Sequence, residues 1–284
     1  MRILLLGDVV GAPGRLAIQQ KAAELRQRLQ LDLLIVNAEN SANGSGLTPT
    51  GYHKLKEAGV DAVTLGDHAF RKKQIRPLLE TAEDLVRPAN WPAGAPGRGS
   101  AVVRAGDHMP PVHLTVVLGR LFMVSAQGDD PFAAADRFLD GLPDGAVSLV
   151  EMHAEATSEK IALGWHLSGR ASCVYGTHTH VHTADARLLP AGVPGSGGPA
   201  GPPPLPHTAY VTDLGMTGAA DSVLGRRVDR VVDFLTTARP SAFDVADDRP
   251  ELHGVVVDID NDTGRAKSIQ RFDEPADVNQ PPFV

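Results

Sequence analysis

Five short apolar runs in this 284-residue sequence end in side chains that bind metals or move protons. The segments are ILLLGD, LLIVNAEN, AVTLGDH, VSLVEMH and CVYGTHTH, and they supply Asp8, Glu39, Asn40, Asp67, His68, His153, His178 and His180. Carboxylates, imidazoles and an amide without a thiolate form a ligand set for a divalent transition metal such as iron, manganese or zinc. The set is larger than one ion requires. Two ions about 3.5–4 Å apart, sharing a bridging carboxylate, would use it, and such pairs recur in phosphoryl-transfer chemistry.

Taken singly, each residue has an ordinary alternative. Asp8 could be a turn residue or a helix cap. Glu39-Asn40 could be loop polarity, Asp67-His68 a solvated turn, and His153 a structural histidine. His178-x-His180 is more specific, because alternate residues of a strand share a face and can aim two imidazoles at one place. What favours a common site is the repetition at the end of successive runs. His53, His108, His113, His166, His207 and His253 lack that placement and read as surface or structural residues. His182 extends the His178/His180 spacing, with the structural reading favoured. Gly7–Gly14 lacks the lysine and the spacing of a phosphate loop. Trp91 and Trp165 read as core aromatics rather than base-stacking platforms, and Cys173, inside an apolar run, reads as inert.

For these ends to meet, the runs must be neighbouring parallel strands, since ligands bind at the carboxyl edge of open α/β sheets. The pattern of the chain supplies such strands. Short, largely apolar runs at Ile3–Leu6, Leu31–Val36, Asp61–Leu65, Ala146–Met152, Ala171–Tyr175 and Ala209–Thr212 alternate with helical spacing over Leu16–Leu29, Thr48–Ala58, Gln74–Ala82, Ala133–Leu142, Ala156–Leu167 and Ser222–Thr236. This predicts an α/β fold, a largely parallel sheet core flanked by helices. Between about residues 85 and 127 the runs are shorter and β-like, with Gly119-Arg120 as a hairpin connection. That segment is either a small inserted β subdomain or extra antiparallel edge strands. Residues 190–206, PAGVPGSGGPAGPPPLP, predict an exposed, mobile loop, and His253–Asp260 with Ala266–Phe272 predicts a closing hairpin.

Composition excludes several classes. The chain is long enough for one large domain, and 42% hydrophobic with 21% charged residues is ordinary for a soluble globular protein. The 29 glycines and 22 prolines exceed the roughly 12% of residues usually found, and loop 190–206 holds much of the excess. A net charge of -7 argues against a protein that grips duplex nucleic acid through a basic surface. No run approaches the ~18 apolar residues of a membrane span. The apolar start of MRILLLGDVVG is broken by Gly7 and Asp8, too soon for the core of about 7–15 residues that a secretion signal needs. A cytoplasmic setting is expected, and the single Cys173 fits it.

The residues at the strand ends resemble the blocks of the calcineurin-like metallophosphoesterases. Those blocks are a Gly-Asp, a bridging acid, a Gly-Asn-His, a lone His and a Gly-His-x-His, matched here by Gly7-Asp8, Glu39-Asn40, Gly66-Asp67-His68, His153 and Gly176–His180. GDVVGAPGR, NAENSANGSGLT and TDLGMTG are similar to the YmdB-like branch of bacterial phosphodiesterases, and the resemblance runs through essentially the whole chain. It implies two metal ions, iron or manganese, one on Asp8, Glu39, Asn40 and His180 and the other on Glu39, Asp67, His153 and His178, with Glu39 bridging. It also implies attack by a hydroxide shared between the ions, His68 as general acid, and a small phosphodiester such as a 2',3'-cyclic nucleotide as substrate. No membrane or duplex partner is implied, and a homo-oligomer is left open. The chain departs from the superfamily at Val10, which replaces a histidine whose place Asn40 would take. It departs again at Asp67, which replaces an asparagine and adds a negative charge. That charge keeps open the alternative of a catalytically weak, metal- or nucleotide-binding regulatory protein. Loop 190–206 reads as an insertion, and a surface insertion is favoured over a docking role for its Pro202–Pro206 segment.

Overall fold

The computed structural model describes residues 1–123, 128–192 and 207–276. In chain order the elements are β1 (Arg2–Leu6), β2 (Asp8–Val9), α1 (Gly11–Arg28), β3 (Leu33–Asn37), α2 (Pro49–Glu57), β4 (Ala62–Thr64), α3 (Arg76–Thr81, preceded by a 3-10 turn at Lys73–Ile75), β5 (Leu85–Val86), β6 (Ser100–Val103) and β7 (Val112–Leu118). They continue with α4 (Pro131–Asp140), β8 (Val147–His153), α5 (Thr157–His166), β9 (Cys173–Thr177), β10 (Arg187–Leu189), β11 (Thr208–Val211), β12 (Met216–Ala219), α6 (Val228–Thr237), β13 (Pro250–Ile259) and β14 (Ala266–Pro275).

The two faces of β1 enter different cores. Leu4 and Leu6 pack with Ala17, Ile18 and Leu25 of α1, while Ile3 and Leu5 pack with Leu114, Leu149 and Tyr175 of other strands. Strand β3 repeats this, with Leu34 and Val36 towards the helices and Leu33 and Ile35 towards the same inner core. A strand buried on both faces needs no polar alternation, which is why these segments read as continuous apolar runs.

Among the described residues the strands form two sheets. One has the order β2-β12-β13-β1-β3-β4-β5, with β14 also on β13; the other has the order β10-β11-β9-β8-β7-β6. Within the first, β1, β3, β4 and β5 run parallel and β13 lies antiparallel to β1; within the second, β7, β8, β9 and β11 run parallel and β6 and β10 are antiparallel edges. The inner core joins the sheets face to face, and a third core, with Met152, Leu163, Val174 and Tyr210, seats α4 and α5 on the outside of the second. The result is a mixed α/β fold of four layers: helices, sheet, sheet, helices.

Side-chain chemistry accounts for the local departures from the sequence reading. Helix α1 begins at Gly11, five residues before the Leu16 at which the helical spacing starts. Thr48 caps α2 as expected, its hydroxyl accepting from the Gly51 N–H at 3.1 Å. The strands within 85–127 are shared out: β5 belongs to the first sheet, and β6 and β7 to the second. Gly119-Arg120 does not form the expected hairpin, because the N–H groups of Arg120 and Leu121 donate to the Glu159 carboxylate at 3.0 and 3.2 Å. Leu121 and Phe122 then make a turn instead of starting a strand. Helix α6 starts at Val228, not Ser222. Leu224 and Gly225 have φ of 52° and 84°, a left-handed turn that no helix can contain. The hairpin of β13 and β14 is present and longer than expected. Most of the Pro/Gly-rich loop, residues 193–206, lies outside the described residues. No helix among the described residues is long and apolar enough to cross a membrane.

Candidate metal centre

The inner faces of the sandwich turn from apolar to polar at one rim. On β8 the alternation that sends Val147 and Leu149 into the inner core sends Glu151 and His153 to its upper end. On β3 the same alternation carries Leu33, Ile35 and then Asn37, and on β9 it carries Cys173, Tyr175 and Thr177. Asp8 follows β1, Glu39 and Asn40 follow β3, and Asp67 and His68 follow β4. The acids and the amide therefore come from one sheet, and His153, His178 and His180 come from the other.

The predicted residues meet. Glu39 Oε1 lies 3.1 Å from His153 Nε2, and Asp67 Oδ1 lies 3.2 Å from the same nitrogen. His178 Nδ1 is 3.1 Å from His153 Nε2 and 3.5 Å from Asp67 Oδ1. One ligand atom from each of Glu39, Asp67, His153 and His178 falls within 4.8 Å of the others. On the other side of Glu39, Asn40 Nδ2 is 3.4 Å from Glu39 Oε1 and 3.1 Å from His180 Nε2, which is 3.8 Å from Asp8 Oδ1. Asp8 is wholly buried, and its Oδ1 has no hydrogen-bond partner. An unpartnered carboxylate oxygen at such depth is costly in the absence of a cation.

The histidines are oriented through their far nitrogens. His153 Nδ1 pairs with Thr177 Oγ1 at 2.9 Å and His180 Nδ1 with the Leu224 carbonyl at 3.1 Å, so that Nε2 of each faces the acids. Strand β9 ends at Thr177, and His178 and His180 sit on a bend beyond it with φ of 96° and 63°. They converge through left-handed backbone and not, as the spacing suggests, through a shared strand face. Such conformations cost on the order of 1–3 kcal/mol each. Asp8 Oδ2 accepts the His178 N–H at 3.0 Å, and Asp213 Oδ2 accepts from the Thr179 hydroxyl at 2.8 Å, which pins the bend. Asp213 is in turn paired with Lys160 at 2.6 Å, both about 1% exposed. Two glycines allow the close approach: a Cβ on Gly66 would fall within the His153 ring, and one on Gly176 would strike the Thr212 carbonyl.

Charge is balanced internally. Burial resists ionisation of Glu39 and Asp67, yet His153 outweighs it and holds both below the usual carboxylate range. Burial also opposes protonation of His153, but Glu39 and Asp67 raise it well above the ordinary imidazole value. Asp8 is pushed up by burial, which His180 and His153 only partly oppose. A protonated imidazole among three acids occupies the electrostatic place of a cation, and metal binding displaces such protons.

His68 stands beside this group, with Nδ1 2.9 Å from Asn40 Oδ1, its backbone N–H donating to Glu39 Oε2 at 2.9 Å, and Nε2 3.5 Å from Asp67 Oδ2. A cavity of about 370 Å³ opens over Glu39, Asn40, His68, His178 and His180, walled by Phe243. Sequence reasoning missed the layer beneath. Wholly buried Glu151 accepts from Asn37 Nδ2 and Thr177 Oγ1, each at 2.7 Å, and Asn37 Oδ1 accepts the Glu39 N–H at 3.0 Å. Burial raises the Glu151 pKa. The signal was a polar residue in an inward position of an apolar strand. His182 turns away from the cavity to pair with Asp273 at 2.8 Å and stack on His253, and Arg271 holds the same Asp273.

The model of the family described as YmdB-like protein matches residues 4–272. A 2',3'-cyclic-nucleotide 2'-phosphodiesterase of Bacillus subtilis is 42% identical over 274 residues, 96% of this chain and 96% of that protein. Among solved structures, a hypothetical protein from Thermus thermophilus superposes with a TM-score of 0.85 at 40% identity, covering 98% of this chain and 100% of that one. A Mycoplasma pneumoniae structure described as a novel phosphatase superposes with a TM-score of 0.86 at 31% identity, covering 98% and 95%.

Proposed function

Since the chain belongs to the YmdB-like family and has a metallophosphoesterase-like core, we propose that it is a dinuclear metal-dependent phosphodiesterase acting on small phosphodiesters, 2',3'-cyclic nucleotides foremost. The observation that carries this reading is the meeting of acids from one sheet with imidazoles from the other around Glu39.

The donors fit iron or manganese, being buried or half-buried oxygen and nitrogen atoms without sulfur. The unpartnered Asp8 Oδ1 and the raised His153 both favour a cation there. One ion would be held by Asp8, Glu39, Asn40 and His180, and the other by Glu39, Asp67, His153 and His178. When bound, such a pair supplies an acidified water and neutralises phosphoryl oxygens.

The protein's own groups do the rest. Asn40 would ligate through its amide oxygen, which here accepts from His68 Nδ1. Turning that amide over would present its NH2 to Nδ1 and leave the His68 proton on Nε2. His68 can then give that proton to the departing alkoxide as general acid. Thr177 sets the orientation of His153, and Asp67 adds negative charge that strengthens cation binding. A cytoplasmic setting suits the lone Cys173, buried in β9.

Elemental analysis paired with a cyclic-nucleotide assay tests the proposal. About two iron or manganese ions per chain are expected, with hydrolysis of 2',3'-cyclic AMP that chelation abolishes and metal restores. A metal-loaded protein that binds the cyclic nucleotide without hydrolysing it would make it a sensor instead.

A further inference from the structure

A second cavity, of about 560 Å³, begins at Asp67 and is lined by Phe70, Arg71, Trp91, Pro92 and Pro96 among others. Its volume falls within the roughly 300–1,000 Å³ of small-molecule sites. The turn after β4 builds one wall: the Ala69 N–H donates to the Gly66 carbonyl at 3.2 Å and the Arg71 N–H to the His68 carbonyl at 3.0 Å, which sets Phe70 three residues beyond Asp67. Trp91 comes from the loop after β5, and the two rings stack with centroids 4.7 Å apart at 30°. Both are only partly buried, rest on the helix-side core and line the cavity. Trp91 packs against the core, as its sequence suggests, and also lines the cavity.

We propose that this cavity receives the nucleobase of the substrate, with the Phe70–Trp91 pair as its stacking platform. The inference rests on the phosphodiesterase reading and adds to it the substrate's second anchor. In a cyclic nucleotide the leaving oxygen is part of the ribose, so the nucleoside must lie on the side of the phosphate where the proton donor stands. His68 is that donor, and its neighbours Asp67 and Phe70 line the cavity. An aromatic face accepts any base, because each has a π-face. Arg71 at the rim offers donors to a base edge. Recognition would thus be general for nucleotides and weak for base-free esters.

The sequence has two tryptophans, so Trp165→Phe leaves Trp91 as the only indole. In that metal-loaded variant, adenosine 3'-monophosphate should quench the tryptophan emission saturably and inorganic phosphate should not. In the otherwise native protein, Trp91→Ala should raise KM for 2',3'-cyclic AMP about tenfold, the scale of one base–aromatic stack. Its kcat, and its kcat/KM for methyl riboside 2,3-cyclic phosphate, should stay within about twofold. Trp91→Phe should restore KM. Unquenched emission, or equal losses on the base-bearing and base-free substrates, overturns the assignment. Quenching by the nucleotide in a protein that hydrolyses neither ester would keep the base site and remove the phosphodiesterase reading.

Discussion

Asp8 Oδ2 accepts the backbone N–H of His178 at 3.0 Å, although the two residues are 170 positions apart. The bond ties the end of β1 in one sheet to the bend after β9 in the other, and it leaves Oδ1 of the same carboxylate facing His180. One side chain thereby shapes the backbone of one histidine and faces the ring of another.

Removing the His68 imidazole should separate proton donation from metal binding. His68→Ala is expected to keep its metal content and lose about 10²- to 10⁴-fold in kcat on 2',3'-cyclic AMP. The loss should be much smaller on bis-p-nitrophenyl phosphate, whose leaving group departs without a proton. Equal losses on the two substrates would exclude the acid role.

Glu151 should matter although it lies outside the metal-facing layer. Glu151→Ala removes the acceptor to which Asn37 Nδ2 and Thr177 Oγ1 donate at 2.7 Å and the Tyr175 hydroxyl at 3.3 Å, and each buried donor left without it costs about 1–3 kcal/mol. Thr177 also orients His153, so metal affinity should fall about 10- to 100-fold. Chelator competition and urea denaturation measure the two effects separately.

The Lys160–Asp213 pair offers a stability test away from the reacting atoms. Lys160→Ala leaves a buried carboxylate without its cation and should cost about 3–5 kcal/mol in denaturant unfolding. Lys160→Met with Asp213→Asn should recover part of that loss, because the amide can still accept from the Thr179 hydroxyl. A double-mutant cycle showing no coupling would refute the clamp.

Metal depletion should make the fold sensitive to alkali. Burial opposes charge on His153, but Glu39 and Asp67 win and raise its pKa when folded. A raised folded value means stability that is complete below the unfolded pKa of about 6.5 and lost as pH climbs through the folded one. Burial-raised Asp8 and Glu151 change in the same sense. Glu39 and Asp67, held low, act at the acid end, where their contribution disappears as pH falls. The melting temperature of the chelated protein should therefore drop by several degrees between pH 7 and pH 9, while that of the metal-loaded protein changes little. Parallel curves would contradict this.

The sequence made the parallel strands and their chemical ends legible for a physical reason: strands buried on both faces cannot alternate, so Ile3–Leu6 or Leu33–Val36 stand out and a polar residue after them is conspicuous. It did not reveal that there are two sheets, because pairings such as Leu4 with Val256 join segments that carry no local record of each other. His178 and His180 were found through their spacing, but the bend that aims them depends on Asp8 and Asp213. The Gly119-Arg120 hairpin failed for a similar reason, since Glu159 on α5 takes the N–H groups that a hairpin would have used. Glu151 and Lys160 looked like ordinary polar residues, because burial is a property of the fold.

The position of β13 between β12 and β1 bears on the order in which the protein is made. A nascent chain that has just finished β5 holds every acid of the candidate centre and none of its three imidazoles. The first strand meanwhile waits beside an empty edge for one of the last. Completion of the candidate centre therefore waits until the strands of the second sheet have been made and packed, and a product truncated before β8 carries its acids without its imidazoles.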